Sequence, residues 1–258
     1  MKTKIGLLLL VLGLGACAAP RQTLKTDTLS QAPTATTTPL IPAPAMTDVQ
    51  LLGLVRPTGM VQDPVSGNWA LPAVIDAFLR FKEQAKTDGW NLILVSGYRS
   101  YSSQRRVWNQ SDDDYLQHGA TDQKKRVEAI MSLVSVPGLS RHHWGTELDI
   151  SESSLRGQLV NVEPDTPEKV LRFYEWMEKN APKYGFCKVY LGNNGAVHNE
   201  PWHWSFLPYS KGYQKQFMAI QNFKPIFDVN VDDVDYLMRH FSRILNDEKK
   251  SINPACGD

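Results

Sequence analysis

Apolar residues recur at helical spacing in "PAVIDAFLRFKEQAK", and "DGW" then breaks the pattern, which predicts a helix over 72–86. "NLILVSGYRS" (91–100) is a short apolar run ending at Gly97, expected to be a buried strand that delivers Tyr98, Arg99 and Ser100 to a loop or helix start. "SYSSQRRVWNQ" then carries Gln104 and Arg105 onto the first turns of a second helix. Residues 121–134 read as helical until "VPG" stops them, and "ELDI" reads as a strand. "TPEKVLRFYEWMEKNAPKYG" (166–185) predicts a helix with Thr166 as cap, Pro167 at the first position and Gly185 as terminator. "CKVYLG" and "HWSF" are short strand candidates on either side of "NNGAVHNEP", and two amphipathic segments follow near 212–222 and 231–246. No internal repeat is visible. Helices and short strands mix without a regular βαβ rhythm, so the expected class is α+β rather than a doubly wound sheet.

The N-terminal 46 residues follow neither period. Residues 1–17, "MKTKIGLLLLVLGLGAC", open with Lys2 and Lys4, continue with an apolar run from Ile5 to Leu14, and end on small residues before Cys17. That run is too short to span a bilayer and reads as a signal peptide. "LGAC" resembles the bacterial lipobox, whose cysteine is lipidated and becomes the new N-terminus; an ordinary cleaved signal peptide with an incidental cysteine is the alternative. Several acyl chains on one cysteine anchor stably where one does not. By the same resemblance Ala18, standing where an aspartate would favour retention in the inner membrane, leans the expectation to the periplasmic face of the outer membrane. Residues 18–46 are rich in Ala, Thr and Pro and cannot bury enough surface to fold, so they read as a tether. Its reach would be ~90 Å if extended and ~30 Å as a coil. The folded head is then expected over 47–258.

Composition narrows the function. With 258 residues, 42% hydrophobic and 21% charged, the chain can bury an ordinary core. A net charge of +1 without a basic stripe argues against a nucleic-acid partner. Export permits a disulfide, and with Cys17 claimed by lipid, Cys187 and Cys256 are left as the pair, or as two unpaired thiols.

The candidate chemistry lies in "SRHHWGTELDI" (140–150), with adjacent histidines and an aspartate, and in "NEPWHW", with Glu200 and His203 three apart. Catalytic zinc usually takes three protein ligands and leaves a fourth position for water. If His203 completes the set begun by His142 or His143 and Asp149, Glu200 is free to act as base. The residues alone do not choose between the two histidines. Glu-x-x-His is common by chance; joined to His-x₆-Asp in an exported chain it is far more specific. H-E-x-x-H, G-x-S-x-G and S-x-x-K are absent, which excludes the common helical zinc-protease arrangement, a nucleophile elbow and a penicillin-binding-protein serine.

"SRHHWGTELDI" resembles the S-x-H-x-x-G-x-A-x-D motif, and "EPWHW" the E-x-W-H motif, of the zinc D-alanyl-D-alanine carboxypeptidase and dipeptidase family known from vancomycin resistance. "SGYRSYSSQ" resembles that family's third element, and all three occur in the family's order, over roughly 75–210. The resemblance implies a hedgehog/DD-peptidase-like fold, with a small mixed or antiparallel sheet carrying a zinc site and helices flanking it. It implies His142, Asp149 and His203 as Zn²⁺ ligands, Glu200 as catalytic base, and Arg99 as an electrophilic or substrate-binding group. Ser140 and Gly145 shape the loop, and Gln104, Ser140 and Trp202 join Arg99 as candidate substrate contacts. His143 becomes a packing residue. Trp144 and Trp202 read as core or pocket wall, and His198 as a surface histidine or a substrate group. Glu147 departs from the pattern, where the family has alanine, and is expected to alter the pocket rim. The implied substrate is the stem peptide of peptidoglycan. Removal of a terminal D-amino acid is the leading activity; L,D-carboxypeptidase or D,D-endopeptidase action, or an inactive wall-binding lipoprotein, are the alternatives.

Overall fold

A computed structural model describes residues 42–257, so the expected signal peptide, the lipobox cysteine and most of the tether lie outside the described residues. The end of the expected tether lies against the head: the Pro44 carbonyl accepts a hydrogen bond from the Tyr213 hydroxyl at 2.8 Å, and Met46 packs on the core.

In chain order the elements begin with α1 (Asp48–Leu51), the hairpin strands β1 (Val61–Gln62) and β2 (Trp69–Ala70), α2 (Pro72–Thr87), β3 (Leu92–Ser96), α3 (Tyr101–Gln117) and α4 (Gln123–Met131). A 3₁₀ turn (Arg141–Trp144) leads into β4 (Glu147–Glu152), followed by α5 (Glu168–Asn180), β5 (Phe186–Lys188) and β6 (His203–Phe206). Three helices close the chain: α6 (Leu207–Met218), α7 (Val234–Ser251) and α8 (Pro254–Gly257). The main sheet has the order β3-β4-β6-β5, and each neighbouring pair is antiparallel. The α+β class with a small antiparallel sheet flanked by helices therefore holds.

Period 2 along the strands separates two chemistries. In β4, Leu148 and Ile150 are buried apolar residues, while Glu147, Asp149 and Ser151 alternate with them; in β6, Trp204 and Phe206 alternate with His203 and Ser205. On the apolar side Phe206 meets Phe186, which meets Phe81 of α2, and Phe81 stacks on Trp176 of α5 with ring centroids 5.2 Å apart. The buried rings of Phe81, Phe186 and Phe206 each contribute ~1.5–3 kcal/mol of transfer free energy. α2 opens with Pro72, whose missing N–H costs nothing there, and closes where Gly89 takes φ +88°.

The ends of α5, α6 and α7 differ from the periodic reading. α5 begins at Glu168 with Pro167 at the cap and no side-chain cap, because the Thr166 hydroxyl is used upstream, accepting from the Glu163 amide at 2.7 Å. It ends at Asn180, a 3₁₀ turn carries Ala181–Tyr184, and Gly185 terminates the run at φ +86°. Pro182, which lacks an N–H, explains the change of helix type. α6 starts at Leu207 with Pro208 in its first turn, five residues before the expected start, and stops at Met218; α7 starts three residues later and ends five residues later than expected.

Candidate metal and catalytic site

β4 and β6 place the polar residues side by side. Asp149 pairs with His203 and Glu147 with Ser205 in the ladder. The 3₁₀ turn before β4 brings His142 over the same spot, with Gly145 completing the reversal at φ +69°. His142 Nε2 lies 3.4 Å from Asp149 Oδ2, and His203 Nδ1 lies 3.6 Å from Asp149 Oδ1. One ligand atom from each of the three side chains falls within 4.8 Å of the others.

The imidazoles are held by their other nitrogens. His142 Nδ1 lies 2.7 Å from the Gly97 carbonyl, which makes it the donor and leaves the Nε2 lone pair facing Asp149. His143 is turned away: its Nδ1 donates to the Arg99 carbonyl at 2.6 Å, and its Nε2 accepts from the Gly138 amide at 3.1 Å. Burial pushes the His143 imidazole down to about 3 despite the Arg99 carbonyl, so it stays neutral. With both nitrogens engaged, His143 is a packing residue, and Gly53 makes room for it, since a Cβ there would sit 2.3 Å from Nδ1.

Asp149 is the one carboxylate shared by the cluster. Burial works against its charge, but His142, His203 and Arg99 hold its carboxyl down to about 2. Its Oδ1 is buried and makes no hydrogen bond. A buried carboxylate oxygen without a donor, beside two imidazole lone pairs, is the donor set a borderline cation such as zinc takes. His203 is buried, which disfavours its protonation, yet Glu147, Glu200 and Asp149 together raise it to about 10, a second ring proton that a bound metal ion would replace. Glu200 Oε2 stands 3.2 Å from His203 Nδ1. It remains outside the three-residue set.

These side chains open into a cavity of about 170 Å³. Arg99, Gln104, Ser140, Glu200 and Trp202 all line it with the three candidate ligands. Arg99 Nη1 donates to Gln104 Oε1 at 2.9 Å, Nη2 donates to Ser96 Oγ at 3.2 Å, and Nη2 stands 3.6 Å from Asp149 Oδ2. Gln104 is 1% exposed and donates to the Ser135 carbonyl at 2.7 Å, so it braces the guanidinium from behind. Trp202 is pocket wall; Trp144 is core, with its Nε1 donating to the Leu51 carbonyl. His198 is exposed and stands apart from this lining.

Glu147 corrects an expectation. It is 0% exposed and lies beneath His203, not at the pocket rim. Tyr190 was not legible as a site residue: it lines the cavity and meets His203 edge-on at 5.0 Å, from a single isolated bridge outside the sheet. No motif marks it. Glu248 of α7 was missed as well. It is buried, one carboxylate oxygen lacks a partner, and burial together with the charge of Glu200 pushes it up to about 8.

Residues 69–209, or 141 of the 258, match the family model described as VanY, D-alanyl-D-alanine carboxypeptidase. The chain belongs to this family. All three candidate ligands, Glu200 and Arg99 fall inside the matched span. A protein of Enterococcus faecalis described as a D-alanyl-D-alanine carboxypeptidase is 27% identical over 170 residues, 64% of this chain and 55% of that protein. An uncharacterized Haemophilus influenzae protein is 34% identical over 129 residues, 45% of this chain and 94% of its own length. Among solved structures, a variant of the vancomycin-resistance D,D-pentapeptidase VanY in complex with Zn(II) is 22% identical, with a TM-score of 0.50, covering 72% of this chain and 94% of that one. This carboxypeptidase-family chain shares that fold.

Proposed function

We propose that the protein is a zinc-dependent D-alanyl-D-alanine carboxypeptidase that removes the terminal D-amino acid from peptidoglycan stem peptides. The observation that carries this reading is the convergence of His142, Asp149 and His203 on one point, with Glu200 and Arg99 beside it in one cavity. The family assignment and the Zn(II) complex of the neighbour support the choice of metal.

Zinc held by these three residues would supply Lewis acidity and lower the pKa of a water. Glu200 takes the proton of that attacking water and delivers it to the leaving amine, acting as base and then as acid. Arg99, braced by Gln104, holds the substrate carboxylate or the developing oxyanion, the latter worth a few kcal/mol in comparable sites. Ser140 and Trp202 shape the walls against which the stem peptide lies. The lipobox resemblance at Cys17 supports a lipid anchor at the periplasmic face of the outer membrane, with the Pro/Thr/Ala-rich segment as a tether to the wall.

Incubating the protein with zinc and a panel of defined muropeptides, and weighing the products, tests the reading. Loss of one D-alanine from a pentapeptide stem is expected. Cleavage confined to tetrapeptide stems or to cross-links would make it an L,D-carboxypeptidase or an endopeptidase. Zinc binding without hydrolysis of any muropeptide would leave a wall-binding lipoprotein.

A further inference from the structure

Behind the candidate metal ligands lies a second layer of hydrogen-bonded polar side chains. His203 points Nδ1 at Asp149 and Glu200, and its Nε2 lies 3.1 Å from Glu147 Oε2. The other Glu147 oxygen accepts from Ser205 Oγ at 2.8 Å and from Thr146 Oγ1 at 3.0 Å, with Arg141 Nη2 at 3.3 Å. Arg141 is fixed in turn. It donates to Gln214 Oε1 at 2.5 Å and to Ser205 Oγ at 2.9 Å, and its guanidinium lies over the Trp144 ring at 4.6 Å. Gln214 belongs to α6, beyond the residues that match the family model.

We propose that Glu147 is a positioning residue that accepts the Nε2 proton of His203, so that Nδ1 alone presents a lone pair to the metal, with Arg141, Ser205 and Gln214 locking the carboxylate in place. This rests on the zinc reading given above. Glu147 occupies the position where the motif that this chain resembles has alanine, a side chain that cannot accept a hydrogen bond.

The energetics favour a positioning role over a merely stabilising one. A buried ion pair such as Arg141–Glu147 adds little net stability compared with apolar residues of the same volume, whereas losing one partner strands the other charge. Across the sheet, by contrast, a carboxylate on the far nitrogen of a metal-binding imidazole fixes the tautomer, orients the ring and raises its basicity. Both Glu147 oxygens are engaged and its side chain is wholly buried, so it cannot swing toward the cavity and compete as a ligand itself.

Two measurements on the full chain test the proposal. Zinc affinity, read by competition with a chromophoric chelator, is compared between the wild type and the double variant Arg141→Met with Glu147→Ala, in which no buried charge is stranded; a 10–100-fold loss is expected. Nitrogen-15 NMR of the zinc-loaded wild type is expected to show His203 with its proton on Nε2 and the metal on Nδ1. Affinity within twofold of wild type in a folded double variant, or a metal on Nε2, overturns the proposal while leaving the zinc site standing. A wild-type protein that binds no zinc overturns the functional reading, and this inference with it.

Discussion

Asp149 and His203 stand directly opposite each other across β4 and β6, and their separation is set by the backbone ladder. Directly opposed residues lie close enough for their side chains to share one partner, and a slip of one residue would turn either to the apolar face. Glu200, three residues before His203, is placed by its backbone: its amide donates to the Tyr190 carbonyl, and its carbonyl accepts from the His203 amide.

This division of labour predicts opposite metal contents for two inactive variants. His203→Ala is expected to lose zinc and activity together, because it removes a ligand. Glu200→Ala is expected to keep zinc and lose roughly 10²–10⁴ in turnover, the usual contribution of a positioned acid–base group. Metal analysis and rates of the purified variants check this; near wild-type turnover in Glu200→Ala would refute the mechanism.

Arg99 is the cation at the cavity, and its side chain is 23% exposed, open enough to meet substrate. An uncompensated carboxylate in such a pocket is costly, and a charge-assisted bond to guanidinium removes that cost. Amidating the C-terminus of a pentapeptide stem is expected to lower kcat/KM by orders of magnitude in the wild type, and much less in Arg99→Ala. Equal cleavage of free and amidated stems by the wild type would point to internal-bond cleavage.

Cys187 and Cys256 are joined, closing a sequence separation of 69 residues. Next to the bridge, Ile252 pairs with Tyr190, and Ser251 Oγ accepts from the Ala196 and Val197 amides at 2.9 and 3.1 Å. The C-terminal segment therefore braces the loop that leads to Glu200. Replacing both cysteines by serine is expected to cost about 4 kcal/mol on the chain-entropy account, read as a lowered urea midpoint. Thiol titration of the denatured, unreduced protein is expected to find neither cysteine free; two reactive thiols would contradict the bridge.

Glu248 makes stability fall with pH. Burial, with the charge of Glu200, pushes its carboxyl up to about 8 from an ordinary 4.5, so the fold binds this proton more tightly than the unfolded chain does. That contribution is fully present below pH 4.5 and is lost as pH rises through about 8, with a size on the order of a few kcal/mol. Glu248→Gln is expected to flatten the decline of unfolding free energy between about pH 5 and 8, measured by urea titration at stepped pH. Identical slopes for the two proteins would mean that the buried group does not hold its proton.

Much of this was written locally. The apolar periods of 72–86, 91–96 and "HWSF" mark elements whose faces are decided by residues a few positions apart, and the two short motifs bring the donor atoms with them. The sequence by itself thus determined the α+β class, the candidate ligand types and the candidate base. The motif resemblance chose His142 over His143, but the physical reason lies in the tertiary structure, where one ring meets the Gly97 carbonyl and the other the Arg99 carbonyl, both more than forty residues away. Tertiary structure also decided that Glu147 lies under His203, that Tyr190 lines the cavity, that Glu248 is buried within reach of the Glu200 charge, and that Thr166 is spent before α5 begins. Hydrogen-bond partners and burial are set by chain segments brought together only on folding, and no pattern within one segment encodes them.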